Sequence, residues 1–370
     1  MKAVAVEPIA RRVRVVEHPE PAMTAATEVK LRMLEVGICG TDREIVTFQY
    51  GTPPPGGDYL VIGHESLAEV VETGPGVTRV KRGDLVVPMV RRPCPHAECV
   101  PCRAGRQDFC VTGDYTERGI KGAHGFMTEA VVEDEAYLNV VPAGLRDVAV
   151  LSEPLTIAEK ALAQVRQVQG RLPWTPPGAP AEAWGRGHRA VVLGAGPVGL
   201  LGAMALVSAG FTTTVYSRAS GPHDKAGLVG SLGAAYVSAE DHTIDGLASK
   251  VGPIDLVYEA TGASRVAFDV IRVLGTNGVF VFTGVPGRKR PIEVDTDLIM
   301  RDLVLENQVV LGTVNAGRDA YEAAIRDLGA FAARWPSAVR GLITARVDIA
   351  GAVDLLLGAP TGIKSVVAVG

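Results

Sequence analysis

Between Val191 and Leu200 the chain reads Val-Val-Leu-Gly-Ala-Gly-Pro-Val-Gly-Leu, and no other stretch restricts its fold as tightly. Gly194, Gly196 and Gly199 spell G-x-G-x-x-G directly after the apolar, strand-like run Arg189–Leu193. A stretch rich in Leu, Ala and Met follows, to about Ala209. In such a strand–turn–helix the first glycine permits the tight turn, the second lets a pyrophosphate approach the backbone, and the third lets helix and strand pack closely. The helix start adds free N–H groups and the positive end of a dipole. The six-letter pattern alone is weak, because 43 of 370 residues are glycine. Its setting predicts a dinucleotide site on Gly194, Gly196, Pro197, Val198 and Gly199.

The uncharged run 190–211 is also long enough to suggest a membrane span. Gly194, Gly196, Gly199, Gly202 and Pro197 within it favour a buried parallel strand followed by a buried helix. Net charge −4 with 21% charged residues gives no footprint for nucleic acid or anionic membranes. The N-terminus lacks an apolar signal core and reads as a strand, so a cytoplasmic location is expected.

Residues 1 to about 155 read as short strands (Ala3–Val6, Val13–Glu17, Glu28–Val36, Ser66–Val71, Leu85–Val90, Met127–Val132, Tyr137–Val141) broken by Gly- and Pro-rich turns, which predicts a compact antiparallel barrel. Thr156–Val168 has helical periodicity, and Gly170–Gly187 reads as a surface loop. From Arg189 strands and helices alternate, predicting an α/β, doubly wound parallel sheet. An amphipathic helix over Gly317–Trp335, then a short helix and a strand, end the chain.

Four of the five cysteines, Cys94, Cys99, Cys102 and Cys110, crowd into C-x4-C-x2-C-x7-C. Four thiolates from one loop close a tetrahedral shell around Zn²⁺ and leave no open position, so this site would brace the loop. A second constellation is dispersed: Cys39, His64 with Glu65, and Glu153. A thiolate, an imidazole and a carboxylate can hold Zn²⁺ with a position open for substrate. Spacing alone leaves a second reading equally open, in which the histidine and glutamate merely satisfy core hydrogen bonds.

Gly37–Asp42, Gly63–Glu65, the four-cysteine loop, Glu153-Pro154 and Gly194–Gly199 together resemble the medium-chain, zinc-dependent dehydrogenase/reductase family over nearly the whole chain. The resemblance implies a GroES-like catalytic domain (1–156 and 317–370) and an inserted Rossmann domain (157–316). It implies two zinc ions per chain: a catalytic one on Cys39, His64, Glu65 and Glu153, where Glu65 binds or releases the metal, and a structural one on the four-cysteine loop. Within the family the chain is most similar to the glucose 1-dehydrogenase group known best from archaea, on Gly40–Val46, Tyr115–Ile120, Gly125–Met127, Glu153–Leu155 and Gly312–Asn315. That similarity implies sugar contacts from Thr41, Glu65, Glu117, Glu153 and Asn315, with Thr41 and Glu65 in catalysis. It also implies a homo-oligomer, tetramer or dimer. The chain departs from its relatives in two extra residues in the first cysteine gap, in Val90 where some carry Asn, and in Glu44 at the place of a relay His.

The function implied is oxidation of an aldose at C1 to the lactone, with hydride passing to a nicotinamide. The strand expected to end at Ser217-Arg218 carries no acid before Asp224. NAD enzymes place a carboxylate there for the ribose 2′-OH, so Ser217, Arg218 and Ser220 point to the 2′-phosphate of NADP, with use of NAD as well left open. Two other readings stand beside this one: a zinc polyol or alcohol dehydrogenase, and an NADPH-binding protein without turnover.

Overall fold

A computed structural model describes residues 1–220, 224–287 and 291–370. The chain divides into two compact units, one of Met1–Thr156, Asn315–Ala333 and Val339–Gly370, the other of Ile157–Val314 and Arg334–Ala338.

The first unit is organised on the strand Glu28–Gly37. Val29, Leu31 and Met33 alternate inward and are fully buried, as a half-buried strand requires. A register shift between Met33 and Glu35 breaks this alternation, so that Leu34 to Gly37 are all buried. The strand is the centre of a seven-stranded sheet. Glu65–Thr73 pairs with it on one side. On the other side Ala130–Asp134 pairs with its first half and Lys364–Ala368 with its last residues. Two small three-stranded sheets complete the unit among the described residues: Arg12–Glu17, Lys2–Glu7 and Leu60–Val61 in one, and Arg91–Arg92, Thr116–Arg118 and Gly122–Ala123 in the other. The C-terminal pair Ile343–Asp348 and Lys364–Ala368 runs parallel; the sequence reading missed its first strand, whose alternating half-buried residues give a weak signal.

The second unit is a six-stranded parallel sheet in the order Ala235–Ser238, Thr212–Ser217, Arg189–Leu193, Ile254–Glu259, Leu274–Phe282, Val309–Gly312. This 3-2-1-4-5-6 order is the doubly wound Rossmann arrangement. The run that imitated a membrane span is the buried strand Arg189–Leu193 and the twelve-residue helix Pro197–Ser208, apolar on nearly every side because it is buried. Among the described residues no helix is long and apolar enough to cross a membrane. The segment Gly170–Gly187, expected to be a surface loop, is pinned by two buried tryptophans. Trp174 stacks on His188 with ring centroids 3.9 Å apart, and Trp184 meets Phe211 edge-on.

An aromatic cluster in the first unit makes stability depend on pH. His124 stacks on Tyr59, meets His18 edge-on, and accepts the Val61 N–H on Nδ1 at 3.1 Å. Burial, aided by the neighbouring His18 and Arg118, lowers its pKa to about 4. The unfolded chain takes up this proton near pH 6.5, so its contribution to stability is intact above that pH and is lost on acidification toward pH 4. His124→Asn keeps an acceptor for Val61 but cannot titrate. Between pH 7.5 and 4.5 its melting temperature is expected to fall less than that of the parent; parallel curves would show that His124 is not the linked group.

Candidate active site

Two glycine-bearing turns of the first unit supply the dispersed ligands. Cys39 precedes the short helix Gly40–Val46, and Asp42 in its first turn turns back to accept the Cys39 N–H at 2.8 Å. The other Asp42 oxygen accepts the Gly63 N–H at 3.3 Å, tying the Cys39 turn to the His64–Glu65 turn. Asp42 is completely buried, and its Oδ1 stands 3.4 Å from His64 Nδ1. Ligand atoms of Cys39, His64 and Glu65 lie within 4.8 Å of one another.

The electrostatics of this cluster are those of an anionic pocket. Burial disfavours a charged His64, yet the Asp42 carboxylate and the Cys39 thiol lift its pKa well above the usual value. Glu153, in the first turn of the helix Ser152–Gln169, lies beside the group but outside its ligand set. Burial pushes its carboxyl up to about 7, with His64 and Lys364 pulling it back and Glu65 and Asp42 reinforcing the rise. Lys364 is 2% exposed; it donates to Glu65 Oε2 at 2.5 Å and to the Ile38 carbonyl at 3.0 Å. Burial pulls its pKa down, but Glu65 and then Cys39 more than offset this and hold it above the ordinary lysine value.

The donor set fits a zinc ion: a thiol, an imidazole and a carboxylate converge. The four-cysteine loop fits one as well. Its sulfurs lie within 4.8 Å of one another, and Cys99 and Cys110 are 3.9 Å apart, against about 3.8 Å expected between thiolates around tetrahedral zinc. All five cysteines are free. Burial raises Cys102 to about 12, while in Cys110 hydrogen bonds from Thr112 and Gly113 outweigh burial and lower it to about 6. Four thiols this close cannot all ionise without a cation among them.

Glu117 and Asn315 meet. Asn315 adopts a left-handed backbone (φ +59°), in which its Oδ1 accepts the following N–H and its Nδ2 donates to Glu117 Oε1 at 3.0 Å. Thr41 is half-buried in the first turn after Cys39.

In the second unit the glycine turn has the geometry its spacing predicts. Gly194 has φ +104°, which a side chain would strain. A Cβ on Gly199 would stand 2.1 Å from the Gly194 carbonyl, whereas Gly196 faces open space at the start of the helix Pro197–Ser208. Ser217 ends its strand half-buried, and Arg218 and Ser220 are exposed. Glu240, which the sequence reading did not bring here, reaches this strand end from beyond the next strand and accepts the Ser220 N–H at 3.2 Å. No local pattern could have revealed it, since it lies twenty residues away.

A GroES-like domain and a doubly wound sheet with a glycine turn define a medium-chain dehydrogenase. The alcohol dehydrogenase GroES-like domain matches residues 25–143, and the glucose dehydrogenase C-terminus matches 146–369. Glucose 1-dehydrogenase of Methanocella arvoryzae is 40% identical over all of both chains, and that of Thermoproteus tenax is 42% identical over 89% of this chain and 88% of its own. The Haloferax mediterranei glucose dehydrogenase, solved in complex with NADP, Zn and gluconolactone, superposes with a TM-score of 0.88 at 32% identity, covering 100% of this chain and 99% of the other. The chain belongs to the glucose dehydrogenase family.

Gly37 tests how firmly Glu65 is held. A Cβ there would lie 2.3 Å from Glu65 Oε2, the oxygen bound to Lys364. Gly37→Ala is expected to dislodge the ion pair and to cost about 1–3 kcal/mol in urea unfolding, as overpacking of a filled interior does. An unchanged unfolding curve would mean that Glu65 has a second resting place.

Proposed function

We propose that this chain is a glucose 1-dehydrogenase, oxidising an aldose at C1 to its lactone with hydride transfer to NADP. The observation carrying this reading is full-length likeness to glucose dehydrogenases, one of them solved with NADP, zinc and gluconolactone. Cys39, His64 and Glu65, with Glu153 beside them, would hold the catalytic zinc, and the four-cysteine loop the structural one. Bound there, zinc supplies a Lewis acid that lowers the pKa of the substrate hydroxyl. The chain's own residues do the rest. Asp42 orients His64, and Lys364 offsets the negative charge of the ligand group. Thr41, two residues past Cys39, takes the hydroxyl proton outward. Glu117, Glu153 and Asn315 receive the remaining hydroxyls, a set that disfavours simple alcohols because buried polar groups would be left unpaired. NADP supplies the hydride acceptor; Gly194, Gly196, Pro197, Val198 and Gly199 receive its pyrophosphate, and Ser217, Arg218 and Ser220 its 2′-phosphate.

Steady-state assays over glucose, galactose, xylose, sorbitol and ethanol with each nucleotide test the reading. Glucose or a close epimer with NADP is expected to lead. Cys39→Ala and His64→Ala are expected to lose turnover by at least about a thousandfold, a scale typical for removal of catalytic parts, while nucleotide affinity is unchanged. Normal turnover in either variant, or ethanol as best substrate, would refute it.

We also infer a cytoplasmic homo-oligomer. Reduced thiols suit the cytoplasm. Val309–Gly312 is the edge of the second unit's sheet, and Val310 on it is exposed, as are Met300, Val304 and Leu305 on the helix Thr296–Leu305. Open apolar edges of this kind are normally covered. Sedimentation is expected to give two or four chains per particle, and Val310→Lys to reduce that number; a monomeric parent would refute it.

A further inference from the structure

Arg91 is a buried cation that no part of the reading above employs. It is 5% exposed and lies opposite Glu117 in the small sheet of Arg91–Arg92 with Thr116–Arg118. Its Nε and Nη2 both donate to Glu117 Oε1, at 3.0 and 2.9 Å. Asn315 Nδ2 brings a third donor to the same oxygen. One carboxylate oxygen is thereby saturated. Among the described residues no hydrogen bond is made to Oε2, the other oxygen of this buried side chain. The asymmetry leaves Glu117 with a single acceptor, aimed by its partner.

Arg91 is fixed in turn from two directions. Its guanidinium lies over the Tyr115 ring, 3.7 Å from the centroid. Nη1 donates to the Asp108 carbonyl at 3.3 Å, and Gln107 Nε2 donates to the Arg91 carbonyl at 3.4 Å. Gln107 and Asp108 belong to the short turn of helix just before Cys110. The last cysteine of the thiol loop is therefore connected, through Asp108 and Arg91, to Glu117 and Asn315. A lysine cannot reproduce this: the contacts use the planar fork of arginine, two N–H groups on one oxygen, a third on a carbonyl, and a flat face on a ring.

We propose that Arg91 is the positioning residue that sets sugar specificity, holding Glu117 through Oε1 so that Oε2 meets one substrate hydroxyl in a fixed direction. The inference rests on the aldose reading of the site and deepens it. Arg91 acts through Glu117 and does not itself touch the sugar. Its removal should therefore loosen substrate binding and the choice between epimers, and leave the chemical step and the nucleotide alone.

A double-mutant cycle on the zinc-loaded enzyme tests this, because residues acting through one contact are non-additive. Arg91→Lys keeps the charge and loses the fork. It is expected to raise KM for glucose about tenfold, the effect of losing one good hydrogen bond to a charged group, with kcat within about twofold, and to narrow the glucose-to-galactose ratio of kcat/KM. Glu117→Gln raises KM on its own, and adding Arg91→Lys to it should raise KM no further. Tyr115→Leu, which removes the ring shared by the Arg91 guanidinium and Lys121 and leaves the Arg91–Glu117 hydrogen bonds in place, should show a smaller rise that also vanishes in the Glu117→Gln background; it stands in if Arg91→Lys does not fold. An unchanged KM in Arg91→Lys, or in Tyr115→Leu if that variant stands in, overturns the proposal. So does a double variant whose KM is the product of the single effects. Should the parent oxidise no aldose, the aldose reading itself fails; a parent active on glucose with unaffected variants removes only Arg91 from it.

Discussion

Lys364 places a buried positive charge beside a cluster of buried acidic groups. Cys39, Asp42, Glu65 and Glu153 act on one another electrostatically or by direct contact, and Glu65 and Asp42 are essentially closed to water. Removing charges from water costs several kcal/mol per ion unless each is paired and hydrogen-bonded. Lys364 meets that condition from 299 residues along the chain. It does so because the last strand returns to the central one in a fixed register, Val366 opposite Gly37 and Val367 opposite Val36. Gly37 completes the fit, since its missing side chain leaves the space that the Glu65 carboxylate fills. The return of the C-terminal strand is in this sense part of the site.

A second buried charge network lies in the same unit. Arg91 and Asn315 converge by hydrogen bonds on one oxygen of Glu117. Both networks use one cation to hold one carboxylate oxygen. In each case the arrangement fixes the direction of a group that would otherwise rotate. Preorganisation of this kind is what binding and catalysis draw on.

Much of this was legible from residues alone, for local reasons. The glycine turn announced itself because three backbone requirements fall within six residues, and Gly194 and Gly199 meet theirs sterically. The thiol loop was legible because its four ligands lie within one short window. Residue chemistry alone left the dispersed cluster evenly balanced against core hydrogen bonding, and the resemblance tipped it, since Cys39 and His64 carry no local signal of their meeting. What escaped was long-range. Lys364 sits in a strand whose sequence looks like any other, and nothing in it reveals a partner near the start of the chain. Arg91 carried no assignment, and Glu117 was expected to meet the sugar without a visible partner, because only the pairing of two very short strands brings the two together. Asp42 was quoted within its motif without a role, because capping of a seven-residue helix is visible only once its backbone is placed.

The account stands on one chemical event, the departure of hydride from C1 of an aldose. Glucose carrying deuterium at C1 follows it directly. Incubated with enzyme and NADP, it is expected to yield reduced nucleotide one mass unit heavier, and unlabelled reduced nucleotide when the label is placed at C2. Reduced nucleotide without deuterium from the C1-labelled sugar, or label arriving from another carbon, would contradict it.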